Sequence, residues 1–148
     1  MKYLYICVGL FLVTLFFYAC NFNSTNYNIE DDKIDAEAIT NSFYKHIKEK
    51  NYDQASLLFG LKFYKTTTEE QLKLFLQQLN NNFGNYKSNE LLKWNTSDTK
   101  GTNNGKEYVL KYKVVYDKFT ATETISLELE NNVVKIVGYN VDSFVQKQ

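Results

Sequence analysis

The stretch Ile125-Ser126-Leu127-Glu128-Leu129-Glu130-Asn131-Asn132-Val133-Val134-Lys135-Ile136 decides the fold. Apolar and polar residues alternate on the near side of Asn131-Asn132, which is the periodicity of a half-buried strand. Asparagine tolerates the positive φ that a two-residue hairpin turn demands. Such a turn pairs Glu130 with Val133, and then Leu129 faces Val134, Glu128 faces Lys135 and Leu127 faces Ile136. Apolar side chains meet on one side and opposite charges on the other, so register and pattern agree.

Working outward, Asp117-Lys118 supplies a second two-residue turn, setting Leu110 opposite Ile125, Tyr108 opposite Leu127 and Tyr112 opposite Glu123. A further strand is expected between 88 and 96, around Leu91, Leu92 and Trp94. The polar run 96–106, with Gly101 and Gly105, reads as a long exposed loop.

Upstream the period changes to that of helices. Ile39, Phe43 and Ile47 form one stripe over 35–50, and Asp53 is placed to cap a short helix carrying Ala55, Leu58 and Phe59. Thr68 and Gln71 are spaced as a capping box. The helix after them shows Leu72, Phe75, Leu76, Leu79 and Phe83 on one face, and Gly84 is placed to end it. Helices followed by an antiparallel meander predict an α+β domain over 34–148, with the N-terminal helices packed on one face of a curved sheet.

The first 19 residues read as a signal segment. Lys2 precedes an uncharged, largely apolar run over 3–18 that ends in Ala19-Cys20. The run is short for a stable span but suits the central region of an export signal. A small residue and then Cys, directly after that run, resembles a bacterial lipobox, with Phe17 where an aliphatic residue is usual. The resemblance implies cleavage after Ala19, lipid on Cys20 and anchoring to a membrane of the bacterial cell envelope. Residues 20–33 then read as a polar tether, with Glu30, Asp31 and Asp32 placed to favour the first helix through its dipole. Cys7 would be lost with the signal, so no disulfide, zinc cluster or cysteine nucleophile is expected in the mature chain.

Composition narrows the function classes. Acidic and basic residues balance at 17 each, all the cations are Lys, and proline is absent. Neutrality gives no electrostatic footprint for nucleic acid, and the lack of Arg removes the usual bidentate clamp for phosphate or carboxylate. No phosphate loop, metal-ligand spacing or nucleophile motif is present, so no cofactor and no metal are expected.

Several short motifs occur in a familiar order: Lys50-Asn51-Tyr52-Asp53-Gln54-Ala55, Phe83-Gly84, Glu107-Tyr108-Val109-Leu110, Glu123-Thr124-Ile125-Ser126-Leu127 and Val137-Gly138-Tyr139-Asn140-Val141. Over about 36–143 this resembles the nuclear-transport-factor-2-like (cystatin-like) superfamily, and more closely small exported bacterial domains of unknown function. The resemblance implies a fold and no particular activity, because that fold hosts enzymes, binders and scaffolds alike.

Glu123 draws most interest, because its register puts a carboxylate on the apolar side of the sheet. Inside a cavity it would serve as a base, as in a ketosteroid-isomerase-like enzyme, or would hold a ligand carried without chemistry. At the end of the sheet it would only accept a hydrogen bond from a tyrosine or meet water. Tyr108, Tyr112, Tyr116 and Trp94 would wall such a cavity or simply join the core. His46, the only histidine, has no companions with ligand spacing and reads as an edge residue. Gly138-Tyr139 reads as a strand bend with an outward tyrosine. Lys111 and Lys113 share the opposite sheet face with Thr122 and Thr124, either solvated or open to a protein partner. The expected role is therefore a non-catalytic envelope module that binds a protein or a small ligand.

Overall fold

The computed structural model describes residues 23–101 and 104–146. Five strands form one antiparallel sheet in chain order: β1 (Asn23–Tyr27), β2 (Tyr86–Gly101), β3 (Gly105–Tyr116), β4 (Phe119–Glu130) and β5 (Val133–Gln146). The helices are α1 (Glu30–Lys48), α2 (Tyr52–Ser56) and α3 (Glu69–Phe83), with a 3-10 turn at Phe63–Lys65. The domain is thus α+β, as the change of period implies.

Both hairpins adopt the expected register. Asn131 and Asn132 have φ of 50° and 64°, and the pairs Glu130–Val133, Glu128–Lys135 and Leu127–Ile136 all form. Across the other turn Leu110 faces Ile125 and Tyr112 faces Glu123. Tyr108, Leu110, Tyr112, Val114 and Tyr116 of β3, with Ala121, Ile125 and Leu127 of β4, are buried against the helices. The alternate residues Val109, Lys111, Lys113 and Val115 lie on the face that no helix covers.

The α3 start is the capping box read from the sequence: Thr68 Oγ1 accepts from Gln71 N at 3.2 Å, and Gln71 Oε1 accepts from Thr68 N at 2.8 Å. Leu72, Leu76, Leu79 and Phe83 are buried, whereas Phe75 lies at the margin and is 42% exposed. Gly84 ends the helix with φ of 85°, a conformation that penalises a side chain, and an added Cβ would lie 2.5 Å from Asp117 Cβ.

Four expectations change. Residues 23–27, expected in the tether, form an edge strand on β2, running from Asn23 opposite Gly101 to Tyr27 opposite Ser97. The turn out of that strand is locked on Thr96: Asn28 N donates to the Thr96 carbonyl at 2.9 Å, and Thr96 N donates to Asn28 Oδ1 at 3.2 Å. With the chain held there, α1 begins at Glu30, five residues before the expected 35, and takes Glu30, Asp31 and Asp32 into its first turn. Most of the expected loop at 96–106 is instead strand, β2 running on to Gly101 and β3 starting at Gly105. Polar side chains masked these strands, because Thr96 and Asp98 are buried through hydrogen bonds and charge rather than through apolarity. Finally, Asn51 caps α2, accepting from Gln54 N at 3.2 Å, while Asp53 lies in the first turn and pairs with Lys73 at 2.6 Å.

Candidate functional site

Two bulges in β5 build the most unusual site in the domain. Strict alternation from Ile136 would bring Gly138 inward and turn Tyr139 out. Instead Ser126 pairs with Gly138 and Leu127 with Ile136, so Val137 is the extra residue. The shift turns Tyr139 inward, contrary to the outward tyrosine expected, because a bulge re-aims every side chain beyond it. A second bulge at Asp142 sets Val141 opposite Glu123 and Ser143 opposite Thr122.

Glu123 is completely buried, not at a solvated sheet end. Its Oε2 accepts from Tyr139 Oη at 2.8 Å and from Tyr44 Oη at 3.1 Å, and its Oε1 accepts from Tyr116 Oη at 2.7 Å. No lysine or histidine pairs with this carboxylate among the described residues. Burial pushes its pKa up, and the three hydroxyl donors oppose that shift by stabilising the anion. The tyrosines respond in kind: burial first and the adjacent carboxylate second raise Tyr44, Tyr116 and Tyr139 well above the ordinary phenol value.

The rings around this centre are close-packed. Tyr44 stacks on Tyr86 with centroids 5.5 Å apart and meets Tyr112 edge-on at 5.3 Å, while Phe43 meets Tyr139 edge-on at 5.2 Å. Tyr112 bonds to Thr40 Oγ1 at 2.6 Å rather than to Glu123, and burial pushes its hydroxyl up to about 12. Five hollows among the described residues have linings that include neither Glu123, Tyr108 nor Tyr112. The nearest, about 380 Å³ between α1 and the start of β2, stops at Tyr44 and Tyr86. Three tyrosine hydroxyls thus surround the carboxylate, and Tyr108 and Tyr112 belong to the core.

Trp94 lies apart from that centre. It packs against the edge of the core, with Lys33 Nζ 5.4 Å from its ring centroid. As expected of a lining residue, though at a different place, it joins Asn28, Lys93, Asn95, Val109, Lys111 and Thr124 around an open groove of about 680 Å³ on the uncovered sheet face. Asp142 organises that surface, accepting from Thr124 Oγ1 and Asn140 Nδ2 at 2.6 Å each and pairing with Lys111 at 3.1 Å. Those partners hold its carboxyl below the usual carboxylate range.

One feature escaped the sequence. Asp32 is buried and pairs with Lys106 Nζ at 2.5 Å, and its second oxygen has no protein partner. Its place among three consecutive acidic residues gave no sign of which one turns inward. His46 sits at the margin of α1, with Nδ1 buried and 3.7 Å from Glu49 Oε2, outside hydrogen-bond distance. Among the described residues, no group of three or more His, Cys, Asp or Glu gathers where a metal could be held, and no helix is long and apolar enough to cross a membrane. Cys20 and the signal segment lie outside the described residues. No protein-family model matches the chain, and no curated protein resembles it at a significant level.

Proposed function

We propose that this chain is a lipid-anchored envelope protein whose domain binds a partner protein on the uncovered face of its sheet, without catalysis. The observation that carries the reading is the contrast between Glu123 and the groove. The buried carboxylate accepts from three tyrosine hydroxyls, and among the described residues the hollow beside it ends at Tyr44 and Tyr86, which supports a place in the core. The open face presents Val109, Lys111 and Thr124 with mixed apolar and polar chemistry, as protein-binding surfaces do. The Ala19-Cys20 junction supplies the address, and helices packed on one face of a bulged antiparallel sheet are in keeping with a nuclear-transport-factor-2-like arrangement.

A photo-crosslinking residue placed at Val109 tests the reading in intact envelopes. It captures one discrete envelope protein, whereas the same probe at Leu74, on the exposed side of α3, does not. Absence of a discrete adduct from Val109 refutes the partner surface. A purified chain that turns over a substrate with loss of activity in Glu123→Gln refutes the non-catalytic role.

A further inference from the structure

We infer that the domain stands on one end of its sheet, with Leu57, Leu61, Leu129 and Val133 seated in the bilayer that carries the Cys20 lipid. The inference rests on the proposed lipidation and adds an orientation to it. Cys20 precedes Asn23 by three residues, a reach of at most about 10 Å. Asn23 pairs with Gly101, at the end of the sheet where β2 turns into β3. The same end carries the β4–β5 turn, because Ser97 faces Glu107, Glu107 faces Glu128 and Glu128 faces Lys135 in one row across the sheet. An anchor at Cys20 therefore brings this end, and not the opposite one, against the lipid.

The end is built for such contact. Leu57, Leu61 and Val133 are 58%, 73% and 50% exposed and border one hollow, and Leu129 lies beside the β2–β3 turn. Leu57, Leu61 and Val133 thus form an exposed apolar patch around one hollow, the kind of surface that marks a contact site. Two of the lysines around them are held in ion pairs, Lys62 with Glu128 and Lys106 with Asp32, while Lys135 Nζ donates to the Leu57 carbonyl and Glu130 accepts from Leu61 N and Lys62 N. Charges of both signs stand at this end, so it carries no one-signed field that would select anionic lipid. The contact is thus apolar and shallow, like that of an interfacial segment. Phe144 and Val145 lie at the opposite end, roughly 35 Å away along the strands.

The test uses the full chain, exported, purified and reconstituted into phosphatidylcholine vesicles, some with brominated acyl chains. In a Trp94→Phe background, Leu61→Trp is quenched about threefold more strongly than Val145→Trp, because only the former enters the acyl boundary. Amine labelling of the unaltered protein gives a second reading: Lys62 and Lys100 are protected on vesicles relative to detergent, while Lys45 and Lys118 are not. Equal quenching and equal labelling at both ends overturn the orientation. The mass of the N-terminal peptide separates the causes: an acylated Cys20 with equal quenching sinks the orientation alone, whereas an unmodified Cys20 sinks it together with the lipid anchor.

Discussion

Glu123 and Asp32 are both withdrawn from solvent, and the chain satisfies them by different means. Asp32, near the start of α1, meets the ammonium of Lys106, which reaches down β3 from a partly exposed stem. Glu123, at the centre of the sheet, meets only neutral hydroxyls, from α1, β3 and β5. A lysine can follow its carboxylate to the surface if the end of the sheet loosens. Three tyrosines cannot, because each ring is also a core side chain. The ion pair therefore fastens a boundary, whereas the tyrosine cluster joins three elements and makes their positions interdependent.

Substitutions put that difference to the test. The largest effect is expected from Glu123→Ala, which leaves three buried hydroxyls short of an acceptor and opens a void, costing about 4 kcal/mol. Denaturant unfolding reads it directly. A loss below that of Asp32→Ala would overturn the ranking of the two sites. Asp32→Ala should cost about 2 kcal/mol, because Lys106 remains free to turn to water or towards Asp98, 3.9 Å away. Tyr139→Phe and Tyr44→Phe should each cost about 1.5 kcal/mol, and the double variant less than the sum, because the remaining donors share one carboxylate. Full additivity would show that the hydroxyls act separately.

Acidity sharpens the same contrast. Glu123 binds its proton more tightly folded than unfolded, since burial raises its pKa. Its contribution is fully present below the unfolded carboxylate value of about 4.3 and declines as pH rises through the elevated folded value. Asp117 and Asp142 are lowered, Asp117 to about 2 by Lys87 and the Asn85 amide, so their contributions are present above the unfolded value and fade as pH falls. Glu123→Gln should flatten the decline on the alkaline side and leave the acid limb unchanged, as read by melting temperature against pH. The smallest effect belongs to the outer face. Lys111→Ala breaks an exposed pair with Asp142 and should shift stability by less than about 0.5 kcal/mol, so any loss of partner capture in that variant reports binding.

Much of this was legible along the chain because the signals are local. The Asn131-Asn132 turn, the Thr68–Gln71 capping box and the alternation of Tyr108 to Tyr116 each depend on neighbours a few residues apart, where propensity and periodicity act. They placed Glu123 opposite Tyr112 on the apolar side before any tertiary contact was known. The three tyrosines that hold it were less accessible. Tyr44 is 79 residues away in sequence, and Tyr139 turns inward only because Val137 bulges, a displacement that no composition announces.

The succession of helices and then antiparallel strands after residue 30, the two hairpin registers and the α+β class were determined by the sequence alone, because turn chemistry and hydrophobic period are properties of short segments. Only the tertiary structure decided that Asn23–Tyr27 is a strand, that Asp32 rather than its acidic neighbours is buried, and that Glu123 is held by hydroxyls instead of facing a cavity. Each of those outcomes is set by which distant backbone or side chain lies within hydrogen-bond reach. That distance exists only once the sheet has closed against the helices.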